Sequence, residues 1–70
     1  MERRTFECID EKHNKFWTVW TEDNVLCVCY GKIGTLGQSS DKVFDSESEA
    51  VEEAEKLIKQ KIKKGYFSRS

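Results

Sequence analysis

The residue pattern predicts an α+β fold, a small antiparallel sheet of four to five strands with one amphipathic C-terminal helix packed on one face. Three observations carry this expectation. Lys15–Thr21 (KFWTVWT) and Val25–Tyr30 (VLCVCY) are rich in aromatic, β-branched and apolar residues and flank a polar break, Glu22-Asp23-Asn24; this reads as a β-hairpin. Ser46, with Glu49 three positions later, opens a stretch whose apolar residues recur every three or four positions, which reads as a capped helix. The chain has 70 residues, enough for one domain whose core is a single thin layer, since a domain of this size buries only roughly 60% of the surface its unfolded chain exposes. One helix can cover one face of such a sheet and no more.

The elements follow in chain order. Arg4 to Asp10 alternates loosely, with Phe6, Cys8 and Asp10 on one side and Thr5, Glu7 and Ile9 on the other, and reads as a short strand. Glu11-Lys12-His13-Asn14 is a polar turn. In the next strand Phe16, Thr18 and Trp20 point one way, and Trp17, Val19 and Thr21 the other. Only one of these faces can lie under the helix, so one tryptophan is expected to be partly exposed or covered by another segment. Val25–Tyr30 is apolar on both faces, as a central strand should be. Gly31–Gln38 holds three of the four glycines, which calls for positive φ or close backbone approach. Asp41–Phe44 reads as a last short strand.

Ala50, Val51, Ala54, Leu57, Ile58 and Ile62 form the apolar stripe of the helix, and Gly65 is placed as its C-terminal cap. Residues 45–55 carry six acids and no base, and residues 56–64 five lysines and no acid. That order complements the helix dipole, at about 0.3–1 kcal/mol for each exposed charge near an end.

Composition excludes several classes. Twelve basic residues face thirteen acidic ones, for a net charge of −1, and the pI near 5.8 is far from that of a general polyanion binder. No apolar run approaches the ~18 residues of a membrane span, and the Met1-Glu2-Arg3-Arg4-Thr5 start is not a secretory signal. Three cysteines, Cys8, Cys27 and Cys29, are an odd set for a disulfide scaffold. The expectation is a reduced, cytoplasmic protein without a membrane partner.

Catalytic and metal sites find little support. Cys27-x-Cys29 with Cys8 and His13 makes a Cys3His count, but neighbouring positions on one strand are not the knuckle spacing of structural zinc; the thiols read as small buried hydrophobes, and no metal or cofactor is expected. His13, the only histidine, lies in a turn beside Lys12 and Asn14. Glu52 and Glu53 read as solubilising charge. Gly31, Gly34 and Gly37 lack the Lys-Ser/Thr and the following helix of a phosphate loop. No catalytic residue, enzymatic activity or small-molecule substrate is expected. The six positive charges from Lys56 to Arg69 are first of all a complement to the helix dipole.

Three stretches at these distances resemble the WGR domain: Asn14-Lys15-Phe16-Trp17; Tyr30-Gly31-Lys32-Ile33-Gly34-Thr35-Leu36-Gly37-Gln38; and Phe44–Ala50 leading to Glu55-Lys56-Leu57-Ile58 and Lys61-Ile62-Lys63-Lys64-Gly65-Tyr66. The resemblance runs from about Phe6 to Tyr66, making residues 1–70 one WGR-like domain. The length and the Lys-Lys-Gly-Tyr ending resemble the bacterial branch, which includes molybdate-metabolism regulators; the eukaryotic branch sits in DNA-dependent poly(ADP-ribose) polymerases. The family's name-giving loop has the form WGRxGxxGQ. Here Tyr30 replaces its tryptophan and Lys32 its arginine. Tyrosine keeps a stacking face with less area; lysine keeps the charge but loses the bidentate fork.

The resemblance implies that Asn14, Tyr30, Gly31 and Lys32 meet DNA or a partner domain, with Gln38 closing the loop. Beside it, Lys15, Trp17 and Lys42 are additional candidate contacts if the fold brings them near. An aromatic at a strand end can stack on a base, and a lysine two positions on shares its face and can meet phosphate. The expected function is therefore a non-catalytic binding module engaging nucleic acid at a DNA end or nick. The alternative is a protein-protein or interdomain module of a bacterial regulator with no nucleic-acid contact.

Overall fold

The computed structural model describes residues 1–69. The chain runs β1 (Arg4–Ile9), β2 (Asn14–Glu22), β3 (Val25–Lys32), β4 (Gln38–Val43), α1 (Glu47–Lys63) and β5 (Phe67–Ser68). The five strands form one sheet in the order β4-β3-β2-β1-β5, and every pairing is antiparallel. Four strands thus form a meander, and the helix returns the chain across the sheet so that β5 can pair with β1. The α+β expectation holds.

Glu22 belongs to β2, so the polar break contracts to a two-residue turn, Asp23-Asn24, with Asp23 at φ 53°. Short polar residues tolerate this conformation. The turn fixes the β2–β3 register, in which Val19 faces Val28, Trp17 faces Tyr30 and Lys15 faces Lys32.

Residues directly opposite share a face, so the register sorts every side chain. On the helix side, Phe6, Cys8, Trp17, Val19 and Leu26 pack with Ala54, Ile58 and Tyr66. On the other face the Thr5 and Thr18 hydroxyls meet at 3.1 Å, and Trp20 is half-buried beneath the Arg3 guanidinium, 4.2 Å from its ring centroid. Trp17 is therefore the core tryptophan and Trp20 the partly exposed one, covered by the segment before β1.

Helix boundaries follow the expected chemistry. The Ser46 side chain accepts from the Glu49 N–H at 3.2 Å, and Gly65 adopts φ 102°. Tyr66 N–H donates to Lys61 C=O at 3.0 Å and Gly65 N–H to Ile62 C=O at 3.1 Å. These are the two bonds of a Schellman ending. Ser46→Ala is expected to cost about 1 kcal/mol, read as a lower urea midpoint with an unchanged m-value.

Other details also differ from the sequence reading. β2 starts at Asn14, which leaves the polar turn because it pairs with Ile9. β4 starts at Gln38, three residues earlier than expected, because β3 supplies its hydrogen-bonding partners and the strand, exposed along its whole length, needs no apolar alternation. β5 has no counterpart in the sequence reading. It forms because the Schellman turn redirects the chain along β1, where Arg69 N–H reaches Thr5 C=O at 2.8 Å and Arg69 Nε meets Glu7 at 3.0 Å. Ile62, last of the apolar stripe, is 53% exposed; Lys61 covers the sheet at that level instead.

Candidate functional site

Cross-strand register builds the site. Lys15 and Lys32 are directly opposite on β2 and β3, and Trp17–Tyr30 is the next pair on the same face. Like charges facing each other across a sheet are unfavourable, yet no ion pair to either lysine occurs among the described residues. The helix end adds a third ammonium. Lys61 Nζ lies 5.4 Å from the Trp17 ring centroid and 5.1 Å from that of Tyr66, and Lys15 Nζ lies 5.7 Å from the Tyr66 ring. The Schellman ending produces this placement, because it folds Tyr66 back against the residue five positions earlier. Burial first, then the charges of Lys64 and Lys15, pushes the Lys61 pKa below the usual lysine value.

Lys15, Tyr30, Lys32, Lys61 and Tyr66 line one open groove of about 660 Å³ at the end of the sheet, with the β1–β2 turn as its far wall. Lys12, Lys15, Lys32 and Lys61 and two tyrosine rings line it, with Asp10 and Glu11 on the turn wall, which suits its lysine side to anions that carry flat groups. Asp10 and His13 belong to the turn wall. The Asp10 carboxylate accepts from the His13 ring and from the Lys12 and His13 N–H groups, which together hold its pKa below the usual carboxylate value.

The expected site residues fall into two groups. Asn14, Lys15, Tyr30, Gly31 and Lys32 converge on the groove. Tyr30 is 42% exposed, and its hydroxyl points to Gln38 Oε1 at 3.4 Å, so Gln38 sits behind the ring. Trp17 is buried in the core beneath Lys61 and does not line the groove. Lys42 lies elsewhere. It faces Leu26 on β3, six residues or about 20 Å from Lys32 along the strand, and rests over Phe44.

Backbone contacts position the loop. Thr35 N–H and Oγ1 both donate to Lys32 C=O, at 3.1 and 2.7 Å, and Ile33 N–H donates to Asn14 C=O at 3.0 Å. The loop then folds onto the face away from the helix, where Cys29 Sγ contacts Leu36 C=O at 3.5 Å. Leu36 at its tip is 95% exposed.

The groove also takes in residues that the sequence reading does not assign to it: the turn residues Asp10–His13, Phe16, Lys61 and Tyr66. For Lys61 the dipole alone explains the charge in sequence, and Tyr66 has no role there. The signal for both was Gly65, since a Schellman ending pairs the residue after it with the one four before it. No described helix is long and apolar enough to cross a membrane.

Comparison with known proteins places the fold. The WGR domain model matches residues 2–70. The chain belongs to the WGR family. Domains of this family serve as nucleic-acid or interaction modules. This WGR domain is similar to the uncharacterised protein YfeS of Escherichia coli K12, 47% identical over 64 residues that cover 91% of this chain and 26% of that protein. It is also similar to protein YehF of the same organism, 42% identical over 67 residues, covering 96% of this chain and 24% of the relative. The crystal structure of a Bacteroides fragilis protein matches with a TM-score of 0.96 and 42% identity, over 99% of this chain and 20% of that one. The chain thus spans about a quarter of the length of these relatives.

Proposed function

We propose that this WGR domain is a non-catalytic module that engages nucleic acid, at a DNA end or nick, in the groove formed by Asn14, Lys15, Tyr30, Gly31 and Lys32, with Lys61 as a further phosphate contact. The observation that supports this reading most is the set of three ammoniums around two tyrosines without an ion-pair partner among the described residues. Such a wall is stabilised when phosphate replaces the mutual repulsion, and Tyr30, exposed at the rim, offers a base a stacking face. The net charge of −1 does not oppose this. Six of the thirteen acids gather in residues 45–55, at the other end of α1 from Lys61, and the two that line the groove, Asp10 and Glu11, lie on its turn wall, with Asp10 engaged by His13 and by two backbone amides.

Fluorescence anisotropy with blunt, nicked and single-stranded DNA at low salt tests the reading. Lys32→Ala is expected to weaken binding about tenfold and to reduce the salt slope by about one. Lys42→Ala, outside the groove, is expected to leave both unchanged. Absence of binding at about 100 μM, or equal effects of the two substitutions, would count against it.

A protein-docking reading is favoured by one observation, the almost fully exposed Leu36 on the loop tip, beside a sheet face that no helix covers. Salt separates the two: docking through Leu36 persists at an ionic strength that strips phosphate contacts.

A further inference from the structure

We propose that Cys8, Asp10 and His13 form a three-ligand site for a divalent metal ion of the zinc class. One ligand atom from each, a thiol sulfur, a carboxylate oxygen and an imidazole nitrogen, lie within 4.8 Å of one another. The sequence builds this locally. Cys8 and Asp10 are two positions apart at the end of β1, so both point to the same side. The four-residue turn then brings His13 back against Asp10, whose N–H donates to His13 C=O at 2.9 Å.

The two oxygens of Asp10 are held differently. Oδ1 accepts from the Lys12 and His13 N–H groups, each at 2.8 Å. His13 Nδ1 lies 2.9 Å from both oxygens, and it is the one described partner of Oδ2. A metal ion replacing the proton shared with the imidazole takes Oδ2 and Nδ1, while Oδ1 keeps both amides. That is the outer-shell support that orients a ligating carboxylate. Cys8, only 6% exposed, supplies the inner ligand. The helix-ending Gly65 faces its sulfur without a side chain (a Cβ there would sit 3.9 Å from Sγ).

Bond lengths near 2.3 Å to sulfur and 2.0 Å to nitrogen or oxygen require ligand separations of about 3.3–3.5 Å in a tetrahedron. Separations of up to 4.8 Å must therefore shrink by as much as about 1.5 Å, and the exposed His13 side chain at a turn can supply the movement. Mixed sulfur, nitrogen and oxygen donors select zinc or cobalt over magnesium and calcium. Binding releases the Cys8 thiol proton, and thiolate and carboxylate together neutralise the divalent ion, so the loaded site carries no net charge beside Lys12 and Lys15. With three protein ligands, a water molecule would complete the four-coordinate set.

This departs from the expectation of no metal, which concerned a Cys3His set. Cys27 and Cys29 lie on the sheet face opposite Cys8, so that set is not assembled; Asp10 takes their place. Burial and Asp41 also raise the Cys27 pKa.

Titration of the intact chain with cobalt(II) tests the site. The expected result is one equivalent bound, with a thiolate-to-cobalt absorption band and the visible bands of four-coordinate cobalt, displaced by zinc. His13→Ala, at an exposed position that leaves the fold intact, is expected to weaken binding at least about tenfold, and Cys8→Ser to abolish the thiolate band. The double variant Cys27→Ser/Cys29→Ser is expected to bind as the parent does. No thiolate band in the parent, a band undiminished in His13→Ala, or a band lost in the double variant overturns the proposal. The outcome is independent of nucleic-acid binding.

Discussion

Phe6→Ala is expected to remove about 3–5 kcal/mol of stability and to leave much of the protein unfolded at 25 °C. Phe6 is fully buried. Its ring packs against Trp17 at a centroid distance of 5.8 Å and an interplanar angle of 47°, a tilted pairing that contributes beyond area alone. The Arg4 guanidinium lies 5.1 Å from the same ring. A chain of this length rarely draws more than about 3–5 kcal/mol from a single core, so the cavity cost equals what the whole core supplies. Collapse cannot heal it, because β1 is clamped between β2 and β5. Urea unfolding followed by tryptophan fluorescence reads the loss. Phe67→Ala is the control, as that ring is half-exposed on a two-residue strand, and is expected to cost under about 1 kcal/mol. Equal losses from the two would contradict the assignment of the core to the helix side of the sheet.

How much of this was legible depends on the range of the forces involved. The helix is governed by local chemistry, and Ser46, the Ala50–Ile58 stripe and Gly65 all behave as their spacing predicts. The two tryptophans separate by the period-two rule, and that rule also puts Tyr30 and Lys32 on one face. What the spacing left open was the register. Opposed residues of β2 and β3 have numbers that sum to 47, because the turn has two residues. A three-residue break of Glu22-Asp23-Asn24 would make the sum 46, put Lys15 opposite Gly31 and send Lys32 to the other face. One residue of turn length thus decides whether the lysines converge. β4 and β5 were obscured for a related reason. Gln38-Ser39-Ser40 has no apolar alternation to detect, and Phe67-Ser68 pairs with a strand some sixty residues away through a turn and an ion pair. The position of Lys61 depends on both helix ending and sheet, so its stem lies over Trp17 where the periodicity favoured Ile62.

Gly37→Ala is expected to cost about 2–5 kcal/mol, combining left-handed backbone strain with overpacking. Gly37 adopts φ 76°, and a Cβ there would lie 2.5 Å from Tyr30 O and 2.7 Å from Phe16 Cζ. The first of these is backbone in a central strand and cannot yield. Gly31 meets the same region from the other side, since its Cβ would come within 2.8 Å of Gly37 Cα. The loop therefore closes by backbone lying on backbone, and this closure sets the direction in which Tyr30 and Lys32 leave β3. Gly34 provides the contrast. Its φ of 95° is strained for alanine, but nothing lies within 4 Å of a Cβ, so Gly34→Ala is expected to cost only about 1–2 kcal/mol. Urea midpoints of the two variants give the difference directly. Equal values would mean that both glycines serve conformation alone, and that the close approach at Gly37 contributes nothing. A larger loss at Gly37, accompanied by amide shift changes at Tyr30–Lys32 that Gly34→Ala lacks, would mean that the glycine spacing works as a packing device. In that case the third glycine holds the groove's aromatic and lysine in place without touching a ligand itself.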